Sequence, residues 1–209
     1  MAIIPLASRT PLELMVGGRS VLTRVLETLT EVAQFNRIII APQLAVGWVT
    51  LPDQEKVICC APQFGRLNAV RAALNMAERS ELETVVLHDA DRPLTSPAML
   101  QAILAGTTEQ GGIAGATPVK SAFKKVEAGV VSQTVARDCL VQLVGISAFC
   151  RVALDAILEY AAGHPELPDD EIQVAVAAMV TVAVHLSTVP SFQVDDVITA
   201  ELAERLTDR

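Results

Sequence analysis

Short apolar runs, spaced by segments of helical periodicity, constrain this chain more than any other feature. Ala2 to Ala7, Arg37 to Ala41, Lys56 to Cys60 and Thr84 to His88 each read as a short buried strand. Between and after them come helical segments. Arg19 to Gln34 places Val21, Leu22, Val25, Leu26, Leu29 and Val32 on one face, with Ser20 as the cap. Leu67 to Glu78 carries Leu67, Val70, Leu74 and Met76, and Pro97 to Gly106 follows Thr95 or Ser96 as its cap. Strand–helix alternation predicts a mostly parallel sheet covered on both faces, joined by right-handed crossovers. Ligands bind such sheets beyond the carboxyl ends of the strands. The loops to search are therefore those after residues 7, 41, 60 and 88.

The rhythm changes after residue 110. Gly112 to Val119 reads as a strand. Lys124 to Arg137 reads as a β-hairpin around Glu127-Ala128-Gly129, flanked by Phe123, Val126, Val130 and Val131. Leu140 to Ile146 is a further strand, and Ala148 to Ala162 a helix ended by Gly163. Asp169 or Asp170 caps a helix to about Met179. Val180 to Val189 is a strand, and Asp195 or Asp196 starts a last helix ending near Leu206. No repeat or linker divides the 209 residues, which predicts a single domain over 1–209.

Composition excludes several classes. A formal net charge of −8 argues against a nucleic-acid partner, which needs a basic surface. The longest apolar runs, such as Val174 to Val184, are too short for a membrane span. MAIIPLASRT has no basic region followed by a long apolar one, so no signal peptide is expected and the cytoplasm is the expected compartment. Cys59, Cys60, Cys139 and Cys150 have no metal-site spacing and read as small buried thiols in a reducing environment.

The most specific local signal is Val86-Leu87-His88-Asp89-Ala90-Asp91-Arg92-Pro93. A buried strand there delivers Asp89 and Arg92 to the carboxyl edge of the sheet. Asp89 has the chemistry to hold Mg²⁺ beside a triphosphate, and Arg92 to clasp a phosphate. The plainer alternative is an Asp that caps the next turn and an Arg that pairs with it. His88 reads as packed at the strand end, without a catalytic role.

This segment resembles the V-H-D-A-A-R-P signature of the 2-C-methyl-D-erythritol 4-phosphate cytidylyltransferase family, sugar-phosphate nucleotidyltransferases. The resemblance runs along the chain in order. Ile3 to Ala7 is similar to the family's opening strand, and Leu14 to Leu26 to the segment that begins its first helix. Arg66 to Leu74 is similar to R-x-x-S-V-x-x-G-L. Thr117 to Lys124 resembles P-V-x-D-T-I-K, and Arg137 to Leu140 resembles R-x-x-L-W. Leu167 to Val174 resembles the T-D-D-A helix start, and Asp195 to Glu201 the terminal D-L-x-x-A-E helix. It implies a Rossmann-like fold of the nucleotide-diphospho-sugar transferase type. It also implies a β-arm at about 118–143, which in the family swaps across a homodimer and helps build the partner's substrate site. The implied reaction joins CTP to methylerythritol phosphate, releasing pyrophosphate, in non-mevalonate isoprenoid synthesis.

The departures fall on the chemistry. The family follows its first strand with A-A-G-x-G-x-R-x-G and a P-K. Here the chain reads Leu6-Ala7-Ser8-Arg9-Thr10-Pro11-Leu12, with no glycine between residues 1 and 16. Glycines there let backbone amides approach phosphates and adopt positive φ. Leu12 stands at the catalytic lysine position. The G-G pair before the second helix falls on Pro62 and Gln63, the family's serine on Ala69, and the D-T of D-T-I-K on Ser121 and Ala122. The T-P-Q-x-F stretch falls on Gly145 to Phe149, and the late lysine near Pro190.

What the resemblance leaves is Arg92 and Arg137, with Lys124, on the sugar-phosphate side, Asp89 as the metal-binding carboxylate, and Arg9 and Arg66 as nucleotide-side cations. Losing one preorganised donor to a developing oxyanion costs roughly 3–4 kcal/mol, and here a cradle of amides and two lysines is missing. Three readings follow. In the first, a degenerate copy with little or no activity binds a phosphorylated small molecule or CTP, or partners an active paralogue. In the second, an active nucleotidyltransferase has a rebuilt site, with Mg²⁺ as cofactor. The third is a purely structural or interaction protein, with no cofactor. Lys124-Lys125 reads more simply as a solvated hairpin face, and Asp169-Asp170-Glu171 as a helix N-terminus.

Overall fold

Isoleucines that alternate along two neighbouring strands sort the core into two layers. In the computed structural model, which describes residues 1–6, 13–32, 34–42, 55–77, 83–109, 111–187 and 192–207, β1 (Ala2–Leu6) pairs in parallel with β4 (Ile38–Pro42). Ile4, Ile38 and Ile40 point to one face, Ile3 and Ile39 to the other, and all are fully buried. A strand buried on both faces needs apolar residues at every position, so it reads as a continuous run rather than an alternating one.

The first face is covered by α1 (Val21–Glu31) and α3 (Pro97–Gly106). Ser20 caps α1 by accepting from the Thr23 amide at 3.1 Å, and Ser96 caps α3 in the same way through Met99. The second face is covered by α2 (Arg66–Asn75), α4 (Arg151–Gly163) and α5 (Glu171–Ala177), with Val70, Leu74, Leu154 and Ile157 packed on Val85, Leu87 and Phe149. A final helix, α6 (Val197–Thr207), packs with the small hairpin β2–β3 (Met15–Val16 and Arg19–Ser20) around Val16, Val21 and Val194.

The remaining strands are β5 (Val57–Cys59), β6 (Thr84–His88), β7 (Gly112–Pro118), β10 (Val141–Cys150) and β11 (Val182–Leu186), in the sheet order β11-β7-β10-β6-β1-β4-β5. Among the described residues, only β10 runs against the others in this sheet, between β6 and β7. The expectation of a mostly parallel sheet with helices on both faces therefore holds.

Between β7 and β10 the chain leaves the sheet as an arm, β8 (Phe123–Glu127) and β9 (Val130–Val135), whose strands are almost wholly exposed. Its turn residues Ala128 and Gly129 have φ of 49° and 80°. Positive φ at both centres is the mark of a type I′ hairpin turn, whose twist matches that of the strands.

Three expectations change. The helix expected from Ala148 starts at Arg151, because Ala148, Phe149 and Cys150 complete β10, paired with Val86, Val85 and Thr84 of β6. A central strand's pairing outweighs the helix propensity of Ala148. The second strand, expected over Arg37 to Ala41, runs from Ile38 to Pro42 and so takes in the proline as its last residue. Cys139 is exposed in the 3₁₀ turn Arg137–Cys139 rather than buried, while Cys60 and Cys150 are buried and Cys59 is half-buried.

Candidate active site

The end of β6 meets a slip in β10. His88 is buried, and the next residue, Asp89, leaves the sheet. Its amide donates to the carbonyl of Gly145 at 2.8 Å. The register of β10 against β7 shifts between Leu143 and Ser147, and Gly145 sits in that interval with φ of 70°. A Cβ on Gly145 would lie 2.5 Å from Asp89 Oδ2 and 3.0 Å from Arg92 Nε. Only glycine lets the carboxylate and the guanidinium lie against this backbone.

Arg66, the first residue of α2, supplies the central cation. Its Nη1 donates to Asp89 Oδ1 at 2.8 Å. Its Nε and Nη2 donate to Glu171 Oε2 and Oε1 at 2.6 and 2.9 Å, a two-pronged pairing. Ser147 Oγ adds a hydrogen bond to Glu171 Oε1 at 3.1 Å. Burial works against charge on both partners. On Arg66, Glu171 and then Asp89 more than offset it, and the guanidinium pKa lies above its ordinary value. On Glu171, Arg66 overcomes burial and holds the carboxyl below the usual range.

Two aspartates fix the ends of the helices that bring these groups together. Asp169 accepts from the backbone amides of Arg66 and Leu67 and so caps α2. Asp170 caps α5, accepting from the Gln173 amide at 2.7 Å. The result is an open pocket of about 210 Å³ walled by Arg66, Asp89, Arg92, Gly145, Asp170 and Glu171, among others.

Beside it, Gln193 ties Asp91 to Arg92. Its Nε2 donates to Asp91 Oδ2 at 2.9 Å, and its Oε1 accepts from Arg92 Nη2 at 3.3 Å. Burial, and then Asp89, push the Asp91 carboxyl upward. Burial pushes His88 down to about 4, so its imidazole is neutral, with Nδ1 2.8 Å from the Asp89 carbonyl oxygen.

Of the six site residues read from the sequence, the fold gathers Arg66, Asp89 and Arg92. Lys124 and Arg137 stay on the arm, where Lys124 Nζ donates to Thr134 and Arg137 Nη1 to the Lys120 carbonyl, and neither lines the pocket. Arg9 and Leu12 lie outside the described residues, as does Pro190. Asp89 pairs with Arg66 at 2.8 Å, and Arg92 Nε lies 3.8 Å from Asp91 Oδ1.

Glu171, Ser147, Gly145 and Gln193 are the site residues that motif reading passed over. Glu171 was legible only as part of an acidic helix N-terminus, with no local mark of its pairing to Arg66. As for magnesium, the described residues contain no group of three or more His, Cys, Asp or Glu able to hold a metal ion. A single carboxylate such as Asp89 suits Mg²⁺ only when phosphate and water complete the shell.

A sheet with one reversed strand, an acid and an arginine past its central parallel strand, and an exposed hairpin define a nucleotidyltransferase-like α/β protein. Residues 8–199 match the family model for IspD, 2-C-methyl-D-erythritol 4-phosphate cytidylyltransferase. The chain is 32% identical over 172 residues to a bifunctional enzyme IspD/IspF of Paracoccus denitrificans, covering 80% of this chain and 43% of that one. It is 31% identical, over 80% of this chain and 75% of the other, to a 2-C-methyl-D-erythritol 4-phosphate cytidylyltransferase of Cereibacter sphaeroides. The crystal structure of the Thermus thermophilus enzyme of that name superposes with a TM-score of 0.82 at 22% identity, covering 100% of this chain and 98% of that one. The chain belongs to the 2-C-methyl-D-erythritol 4-phosphate cytidylyltransferase family.

Proposed function

We propose that this member of the family is a severely slowed or inactive cytidylyltransferase that keeps the sugar-phosphate side of the site and has lost most of the nucleotide side. One observation carries the reading: the segment after β1 has no glycine before Gly17, and the chain has no lysine before Lys56. Close-approaching amides and an N-terminal lysine are the means by which such a loop would grip and neutralise a triphosphate. On the retained side, Arg92 would hold the sugar phosphate, joined by Lys124 and Arg137 from an arm. Asp89 would hold Mg²⁺ only with triphosphate oxygens beside it.

The arm favours a homodimer. It carries Phe123, Val126, Val130 and Val131 in exposed positions, and a two-stranded ribbon is marginal without packing against something else. Light scattering behind size exclusion would show twice the 22.2 kDa protomer mass. A monomer at micromolar concentration would refute it.

The activity test is direct. Purified protein with CTP, Mg²⁺ and methylerythritol phosphate should release pyrophosphate many orders of magnitude below the roughly 1–1,000 s⁻¹ of typical enzymes. Turnover within that range would overturn the reading.

A further inference from the structure

We infer that Glu171 is a built-in occupant of the anion site: its carboxylate takes the guanidinium edge of Arg66 that would face a phosphate, and so sets the pocket against polyphosphates. The inference rests on the reading that this pocket is the family's substrate site.

Three observations carry it. The pairing is two-pronged, through Nε and Nη2 at 2.6 and 2.9 Å, which is the arrangement a phosphate would use on the same edge. Asp89 takes Nη1 as well, so both faces of the fork are engaged by groups of this chain. Glu171 is also locked in. Its side chain is 6% exposed, Ser147 holds one oxygen, and the Asp170 cap fixes the helix that bears it. A carboxylate so placed does not swing aside cheaply, because both it and Arg66 would lose a partner.

The charge count agrees. The pocket wall sets two cations, Arg66 and Arg92, against three carboxylates, Asp89, Asp170 and Glu171. That balance repels a polyanion.

The test is isothermal titration of sodium tripolyphosphate, with magnesium chloride in cell and syringe, into the wild type, Glu171→Ala, Glu171→Gln and the double variant Arg66→Ala/Glu171→Ala. Glu171→Ala should bind at least about tenfold tighter than wild type. Glu171→Gln, which keeps the shape and drops the charge, should gain a smaller amount, and the double variant should lose the gain. Circular dichroism melts establish which variants are folded. If Glu171→Ala is not, the isosteric Glu171→Gln decides, and its failure to gain overturns the inference. Equal affinity of wild type and a folded Glu171→Ala, or a gain that survives in the double variant, also overturns it. Ordinary turnover by the wild type would instead sink the proposed function, whichever way the titration goes.

Discussion

Asp89 and Gly145 are held face to face: the Asp89 amide donates to the Gly145 carbonyl at 2.8 Å, and Asp89 Oδ2 fills the space a Gly145 side chain would need. Gly145→Ala therefore meets a φ of 70° and a 2.5 Å contact together. We expect a loss of about 1–3 kcal/mol, measured by urea denaturation. A variant as stable as wild type would show that the carboxylate moves aside freely.

Arg66→Met should cost about 3–5 kcal/mol, because it leaves the Glu171 carboxylate buried without its cation. The double variant Arg66→Met/Glu171→Met should recover much of the loss, since it buries neither charge. Denaturant midpoints of the four proteins close the cycle. Additive losses would show that the two residues are not coupled.

Acid should act in two windows. Neutral buried His88, with a pKa of about 4 against an ordinary 6.5, lets the unfolded chain take up the proton first as pH falls. Stability is therefore lost between about pH 6.5 and 4, and His88→Leu should remove about 2 kcal/mol of the loss between pH 7 and 5. Glu171, held below the usual carboxyl range, contributes stability above about pH 4.5 that disappears as pH falls further. Urea midpoints at pH 7, 5 and 4 separate the two. An unchanged slope between pH 7 and 5 in His88→Leu would disprove the assignment.

Asp169→Ala should destabilise by about 1–2 kcal/mol through the uncapped start of α2, although Asp169 is 102 residues from Leu67 in sequence. Thermal melts read this, and amide exchange should rise first at Arg66 and Leu67. Uniform exchange across the sheet would argue against a capping role.

Local signals carried most of the architecture. Thr84–His88 and Pro97–Gly106 were legible residue by residue, because each has a strong pattern and a clear stop. The hairpin was legible from Ala128-Gly129. The start of α4 was not, because whether Ala148-Phe149-Cys150 is strand or helix depends on β6, more than sixty residues earlier, and not on the segment itself. The site divides the same way. Asp89 and Arg92 lie in one motif at a strand end and could be read together. Arg66 and Glu171 are 105 residues apart, and nothing local says that an acidic residue in the first turn of α5 reaches α2 rather than solvent. Gln193 reaches Arg92 from 101 residues away and leaves no mark in either segment.

Pro118 and Val141 are cross-strand neighbours, the last pair of β7 and β10 before the arm departs. A two-residue turn joining them would therefore close an ordinary hairpin and leave the seven-stranded sheet whole. By this register the arm is an excursion from the sheet. Its sequence is free to answer to whatever lies beyond the sheet's edge, and its removal is a clean way to ask what that is.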